Sequence, residues 1–306
     1  MAIGLAMHLQ RAMTLAIADL AVPVITQYDL GRLVYRLYLD KKFGGETIER
    51  LQKKTPDISD LNAVIGRLVD AGVLESRKLV DNANVYRTLS REHVSDADIA
   101  CCIDPFAYVS HLSAMEWHGL TDRIPKILFI SAPPSAEWAR HAEARMRRDL
   151  GEGHVVDYLQ AGLPALKRYR FTRIRRTTVH RHASAHLGAY ITVKGTPLRV
   201  ATLGRTFLDM LRAPDLCGGI YHVLEIFQDR AAGSLDLIVA EFDTHGRKID
   251  RVRAGYILEE RLGLSHPAFD RWLADVQRGG SRRLDPTTDY APRYSERWCL
   301  SINVEG

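Results

Sequence analysis

Apolar residues recur at helical spacing over residues 28–38, where Leu30, Leu33, Val34, Leu37 and Tyr38 mark one face. Thr26 and Asp29 stand three apart, a capping-box spacing with Asp in place of the usual Glu. Gly44-Gly45 breaks the pattern. Residues 46–53 then read as a short second helix, with Ile48 and Leu51 inward and Arg50, Lys53 and Lys54 outward. Thr55-Pro56-Asp57 reads as a turn. A third helix is expected from Ser59, its N-cap, burying Leu61, Val64, Ile65 and Leu68 and ending at Asp70-Ala71-Gly72. Val73 and Leu74 open a strand, residues 81–84 turn the chain, and residues 85–89 return. Ahead of all this, residues 5–20 predict an apolar helix that packs on these elements or on a second subunit.

Three helices followed by a two-stranded ribbon are the layout of a winged helix-turn-helix, a small fold that usually carries one helix into a DNA groove. The chain is far longer than such a unit needs. Residues 91–98 are polar and read as a linker. After it, Asp104 and Pro105 predict a helix over residues 106–117 that stops at Gly119, and residues 127–130 predict a short strand. Residues 167–176 predict a basic strand, and helices are expected at 202–211, 220–230 and 248–262. The fold class that follows is α+β. A winged helix-turn-helix with its N-terminal helix occupies residues 1–92, a linker 93–103, and a larger mixed α/β effector domain 104–306.

Charge adds one constraint. The 306 residues carry a formal net charge of +5 and a pI near 9.0, which fits a nucleic-acid partner without demanding one. The third helix presents Ser59, Asn62, Ala63 and Arg67 as candidate DNA contacts. Arg and Asn can take guanine and adenine by paired hydrogen bonds. Lys53, Lys54, Arg77 and Lys78 flank it as phosphate contacts. The alternative is a solvated face used for protein contacts, with Asp57 and Asp60 repelling phosphate. In the basic segment, Lys167, Arg168, Arg170, Arg173, Arg175 and Arg176 are candidates for a second DNA contact or a surface for an acidic partner, or else a charged edge strand.

The remaining chemistry is sparse. Cys101, Cys102, Cys217 and Cys299 form no CxxC pair, so a reducing cytoplasm is the simplest home. The apolar amino terminus lacks the charge order of an export signal, and no run approaches the roughly 20 apolar residues a bilayer requires. His180, His182 and His186 have no obvious fourth ligand. Asp236, Glu241 and Asp243 resemble a nuclease carboxylate cluster but lack the expected lysine. There is no Walker loop, GxGxxG or GxSxG. Arg205 and Asp209, four apart, can pair. On an exposed face the pair is worth roughly 0.2–0.5 kcal/mol, and if buried it constrains how the helix docks. No catalytic residue, metal or cofactor is expected.

Residues 104–125, DPFAYVSHLSAMEWHGLTDRIP, resemble the start of the effector domain of AbiEi-type antitoxins of type IV toxin–antitoxin systems. Two further stretches match. Residues 200–220 carry Arg205-Thr206, Leu208-Asp209 and Leu-Cys-Gly-Gly, and residues 279–303 carry Gly-Gly-Ser-Arg-Arg-Leu-Asp-Pro and Arg-Trp-Cys-Leu-Ser-Ile-Asn. The resemblance implies a repressor of its own operon that binds double-stranded promoter repeats and counteracts a nucleotidyltransferase-like toxin. The alternatives are a winged-helix regulator whose second domain binds another protein, and a nuclease-like enzyme.

Overall fold

In the computed structural model, which describes residues 7–76, 79–81, 84–89, 94–277 and 282–304, the chain is an α+β protein. Helix α1 (Leu9–Leu20) buries Leu9, Ala12, Met13, Ala16 and Ile17, which recur every three or four residues along one side. Strand β1 (Val24–Thr26) runs directly into α2 (Gln27–Asp40). Thr26 caps α2 by accepting the Asp29 backbone N–H, while its hydroxyl donates to the Asp29 carboxylate at 2.7 Å.

The helix expected over residues 46–53 is absent. Gly44 and Gly45 both take positive φ (58° and 87°) and close a tight hairpin between β2 (Lys42–Phe43) and β3 (Glu46–Thr47). Two successive positive φ values suit glycine, and a hairpin of this kind commits the following residues to pairing. Ile48 is buried beside Met7 instead of on a helix face. Helix α3 (Ile58–Asp70) is capped by Asp57 rather than Ser59, in a reciprocal capping box with Asp60. It buries Leu61, Val64, Ile65 and Leu68 as expected. Strands β4 (Leu74–Ser76) and β5 (Val85–Thr88) join β1 in an antiparallel sheet of order β1-β5-β4.

The expected linker, from Ser95 onward, is a helix. Ser95 and Asp98 form a capping box, and α4 (Asp96–Ile103) buries Ile99, Ala100, Cys101 and Ile103. Ser95, Asp96 and Asp98, read as linker composition, are therefore its cap and first turn. Nor does a helix start at Phe106. Asp104 Oδ1 accepts from Phe106 N (3.0 Å) and turns the chain into β6 (Tyr108–Val109), so that α5 (His111–Trp117) begins only after Ser110. Strand β7 (Ile127–Ala132) follows, then α6 (Ser135–Leu150), α7 (Val155–Gln160), β8 (Arg173–Ile174), β9 (Thr177–Ala183), β10 (Tyr190–Thr192) and β11 (Arg199–Ala201). A six-stranded mixed sheet of order β10-β11-β6-β7-β9-β8 results, with β7 parallel to β9 and β11 parallel to β6.

The largest core lies between α8 (Leu203–Arg212), α9 (Ile220–Arg230), α10 (Leu235–His245), α11 (Lys248–Gly255), a π-helical turn (Tyr256–Arg261), α12 (Pro267–Trp272) and the carboxy-terminal pair β12 (Tyr294–Ser295) and β13 (Leu300–Ser301). A second core belongs to α1, α2 and α3, yet it takes in Met146 and Leu150 of α6, Tyr158 of α7, and Leu163. The expected boundary near residue 93 is thus crossed by packing. Tyr28 donates to Asp149 at 3.1 Å, and Tyr35 and Tyr158 meet edge to face at 5.3 Å.

Gly31 faces the Tyr158 hydroxyl so closely that a Cβ there would overlap it. Tyr158 is fully buried and tied to the Pro164 carbonyl at 2.8 Å. Gly31→Ala should therefore cost about 1–3 kcal/mol by overpacking. Gly66→Ala, where a Cβ meets open space, should add about 0.5–1 kcal/mol. Urea unfolding of both variants checks this; equal midpoints would mean that the seam between α2 and α7 is loose.

Candidate nucleic-acid interface

The outward face of α3 carries Ser59, Asn62, Ala63, Gly66 and Arg67, all exposed, opposite the buried Leu61, Val64, Ile65 and Leu68. Spacings of three and four place them in one stripe. Ser59 sits in the first turn, and its backbone N–H donates to Asp57 Oδ1 at 2.9 Å. Lys53 has a structural assignment. Its ammonium bridges Asp57 (2.9 Å) and Asp60 (2.8 Å), which holds the lysine pKa above its ordinary value and that of Asp57 below. The helix entrance therefore carries two carboxylates and one ammonium, which offsets half of the repulsion toward phosphate. Lys54 is exposed beside it. Arg77 and Lys78 lie outside the described residues.

The hairpin arm beyond β4 docks on the larger sheet. Val80 bridges Ile174, and the Arg175 N–H donates to the Leu79 carbonyl at 2.9 Å. The basic segment is not one continuous strand. Only Arg173 and Ile174 pair with β9, because the chain turns at Arg175 (φ 50°) and Arg176. Phe171 and Ile174 are buried, while Lys167, Arg170, Arg173 and Arg176 are exposed. Arg175 pairs with Asp96 at 2.6 Å, and Arg168 Nη1 donates to Ser135 Oγ at 2.7 Å. Arg168 and Arg170 line a cleft of about 550 Å³ together with Arg181, which the sequence did not flag.

A second group of residues escaped sequence reasoning because its members are far apart in the chain. Behind the sheet, Ser110, Ser131, Tyr108 and Ser184 form a buried polar line. Ser131 donates to Ser110 (2.8 Å) and Tyr108 to Ser184 (3.2 Å). At one end Ser110 meets His111 Nδ1 at 2.8 Å, and the His111 and His182 rings lie 4.7 Å apart. At the other, Arg205 donates to Ser184 (3.1 Å) and pairs with Asp209 (2.7 Å), both about 2% exposed. The Arg205–Asp209 pair is therefore the buried kind that fixes how α8 docks. The i, i+4 spacing was readable; its burial was not.

The three histidines of the sequence do not converge. His180 lies on Phe129, His182 on His111, and His186 on His245. Among the described residues, no group of three or more His, Cys, Asp or Glu side chains is placed to hold a metal. The carboxylates of α10 also part: Asp236 faces His266, Asp243 holds Arg271 and Trp272, and Glu241 is half-buried. No described helix is long and apolar enough to cross a membrane.

No family model and no curated protein matches the chain. Among solved structures it is similar to the RV2827C protein from Mycobacterium tuberculosis, with a TM-score of 0.47 and 15% identity over 94% of this chain and 89% of that one.

His111 has positive φ (50°), and burial, opposed by Asp209, drives its pKa down to about 4. The unfolded chain takes up this proton near pH 6.5 and the folded protein only near pH 4. Its contribution to stability is therefore intact above pH 6.5, falls as the pH drops toward 4, and levels off below. His111→Asn, which tolerates left-handed backbone, should flatten that part of the acid slope. Unfolding midpoints at pH 7 and 4.5 measure it; an unchanged slope would remove His111 as the cause.

Proposed function

We propose that the protein is a DNA-binding transcriptional autorepressor and the antitoxin of a type IV toxin–antitoxin system, counteracting a nucleotidyltransferase-like toxin. The observation that carries the DNA half is the element order α1-β1-α2-β2-β3-α3-β4-β5, in which the short β2–β3 hairpin lies between helices α2 and α3, with sheet order β1-β5-β4. In this reading it is a winged helix with α3 as the recognition helix and the β4–β5 hairpin as the wing. Asn62 and Arg67 stand exposed on its free stripe. The helix taken for the middle member of the trio gives way to α2, with α1 as the first.

The antitoxin half rests on the resemblance, and the placement of its phrases supports it. Residues 104–125 span β6 and α5, and residues 200–220 span the end of β11 and all of α8. Strand β11 pairs with β6 and α5 packs on α8, so two distant phrases make one unit.

Arg67→Ala should weaken binding to the gene's own upstream repeats by about 1–3 kcal/mol and blur preference at one base position. Mobility shifts with promoter and random duplexes at moderate salt read both effects, and equal affinity for the two would sink the DNA half. The antitoxin half is tested by reading the adjacent gene and, where it encodes a nucleotidyltransferase, co-expressing the full chain with that toxin. Failure to restore growth would leave a regulator whose larger part serves another protein.

A further inference from the structure

The cleft beside the wing is built around Arg181. Its guanidinium is held by Asp104 Oδ2 at 2.7 Å, lies 4.8 Å over the Phe171 ring, and reaches the Tyr169 carbonyl at 3.4 Å. The Asp104 side chain is 0% exposed, and its other oxygen is occupied by Phe106 N and Trp138 Nε1. A carboxylate so fully committed fixes Arg181 from behind and offers nothing to the cleft. Arg168, steadied by Ser135, opens on the same space, and its charge opposes that of Arg181. Arg170 and Thr172 complete the wall, with Asp81 as the one carboxylate among its lining residues.

Arg181 is paired with Asp104, and Arg168 and Arg170 share the cleft with the single carboxylate of Asp81, so the lining is net positive and attracts an anion. Two further facts favour one. Ser135 opens the sixteen-residue helix α6, whose start has Pro134 at the N-cap and no side-chain cap. The first backbone N–H groups of this helix thus lack intrahelical acceptors, and their partial positive charge lies on the side of the arginines at Ser135, with Glu137 of the same turn paired to Arg140. The cleft is open to solvent and its volume, about 550 Å³, leaves room for a phosphate group and the small ester that carries it.

We propose that this cleft binds the terminal phosphate of a small phosphomonoester, gripped by Arg168, Arg170 and Arg181 at the start of α6. Guanidinium forks match phosphate oxygens in pairs. The site is separate from the α3 stripe and does not depend on the operator reading. Phosphate on a DNA backbone is the same chemistry from another source, and the two are separable.

The test uses the full chain, titrated by calorimetry with inorganic phosphate and with a nucleoside 5′-monophosphate against chloride of equal ionic strength. Both phosphates should bind saturably, the monophosphate more tightly, and both should raise the melting temperature. Arg168→Gln and Arg170→Gln, which alter exposed or half-exposed side chains, should each lose on the order of tenfold in affinity. Arg181→Lys, which keeps the charge on Asp104 but not the fork, should lose at least as much. No saturable binding would overturn the proposal, as would equal affinity in the Gln variants. Loss of duplex affinity in those variants, without phosphate binding by the parent, would overturn it in favour of a backbone contact.

Discussion

The carboxylate of Asp104 is the knot on which the arrangement of the larger part depends. It joins the end of α4, the turn into β6, the Trp138 indole of α6 and Arg181 of β9. Its own carbonyl accepts from Arg199 of β11 at 2.8 Å, and Arg199 also holds the carbonyls of Cys101 and Ala107. Five elements, three of them distant in sequence, thus meet on one residue. A buried carboxylate is tolerable only while fully partnered, and removing one member of such a group costs about 3–5 kcal/mol. Both the entry of β6 into the sheet and the aim of Arg181 follow from this one charge.

The same economy of contacts binds the first core to the rest. Residues of α6, α7 and the segment after it fill the space beneath α2, and the hairpin arm is stitched to β8. The α3 stripe is therefore held at a set orientation to the arginine cleft, through Tyr158, Asp149 and Val80. The polar run over residues 91–98 reads as a linker, but Ser95 and Asp98 within it cap α4.

Elements whose pattern is local were legible. Residues 220–230 form α9 with the expected bounds, the helix expected over 202–211 is α8, one is found within residues 5–20, and the apolar face of α3 is the one read from spacing. Failures came where a backbone detail or a distant partner decides. Gly44-Gly45 reads equally as a helix breaker and as a hairpin turn. The segment from Asp104 to Ser110 has helical propensity but is drawn into the sheet by pairing with β7. Residues 167–176 carry the right residue types for a strand, yet Arg175 reverses the chain after two pairs. The candidate contacts on α3 share a face as expected, whereas Lys53 is absorbed by its cap. Nothing local ties Arg181 to Arg168, or Ser110 to Ser184.

The burial of Tyr158 and Leu163 beneath α2 also sets a timetable. Although the first helices and the β1-β5-β4 sheet are encoded before residue 89, their core is incomplete until Leu163 is made. At roughly 5–20 residues per second the intervening stretch takes about 4–15 s to synthesise. During that interval the nascent amino-terminal unit carries an uncovered apolar patch around Tyr28, Gly31 and Tyr35. That patch closes only when the second half of the chain arrives.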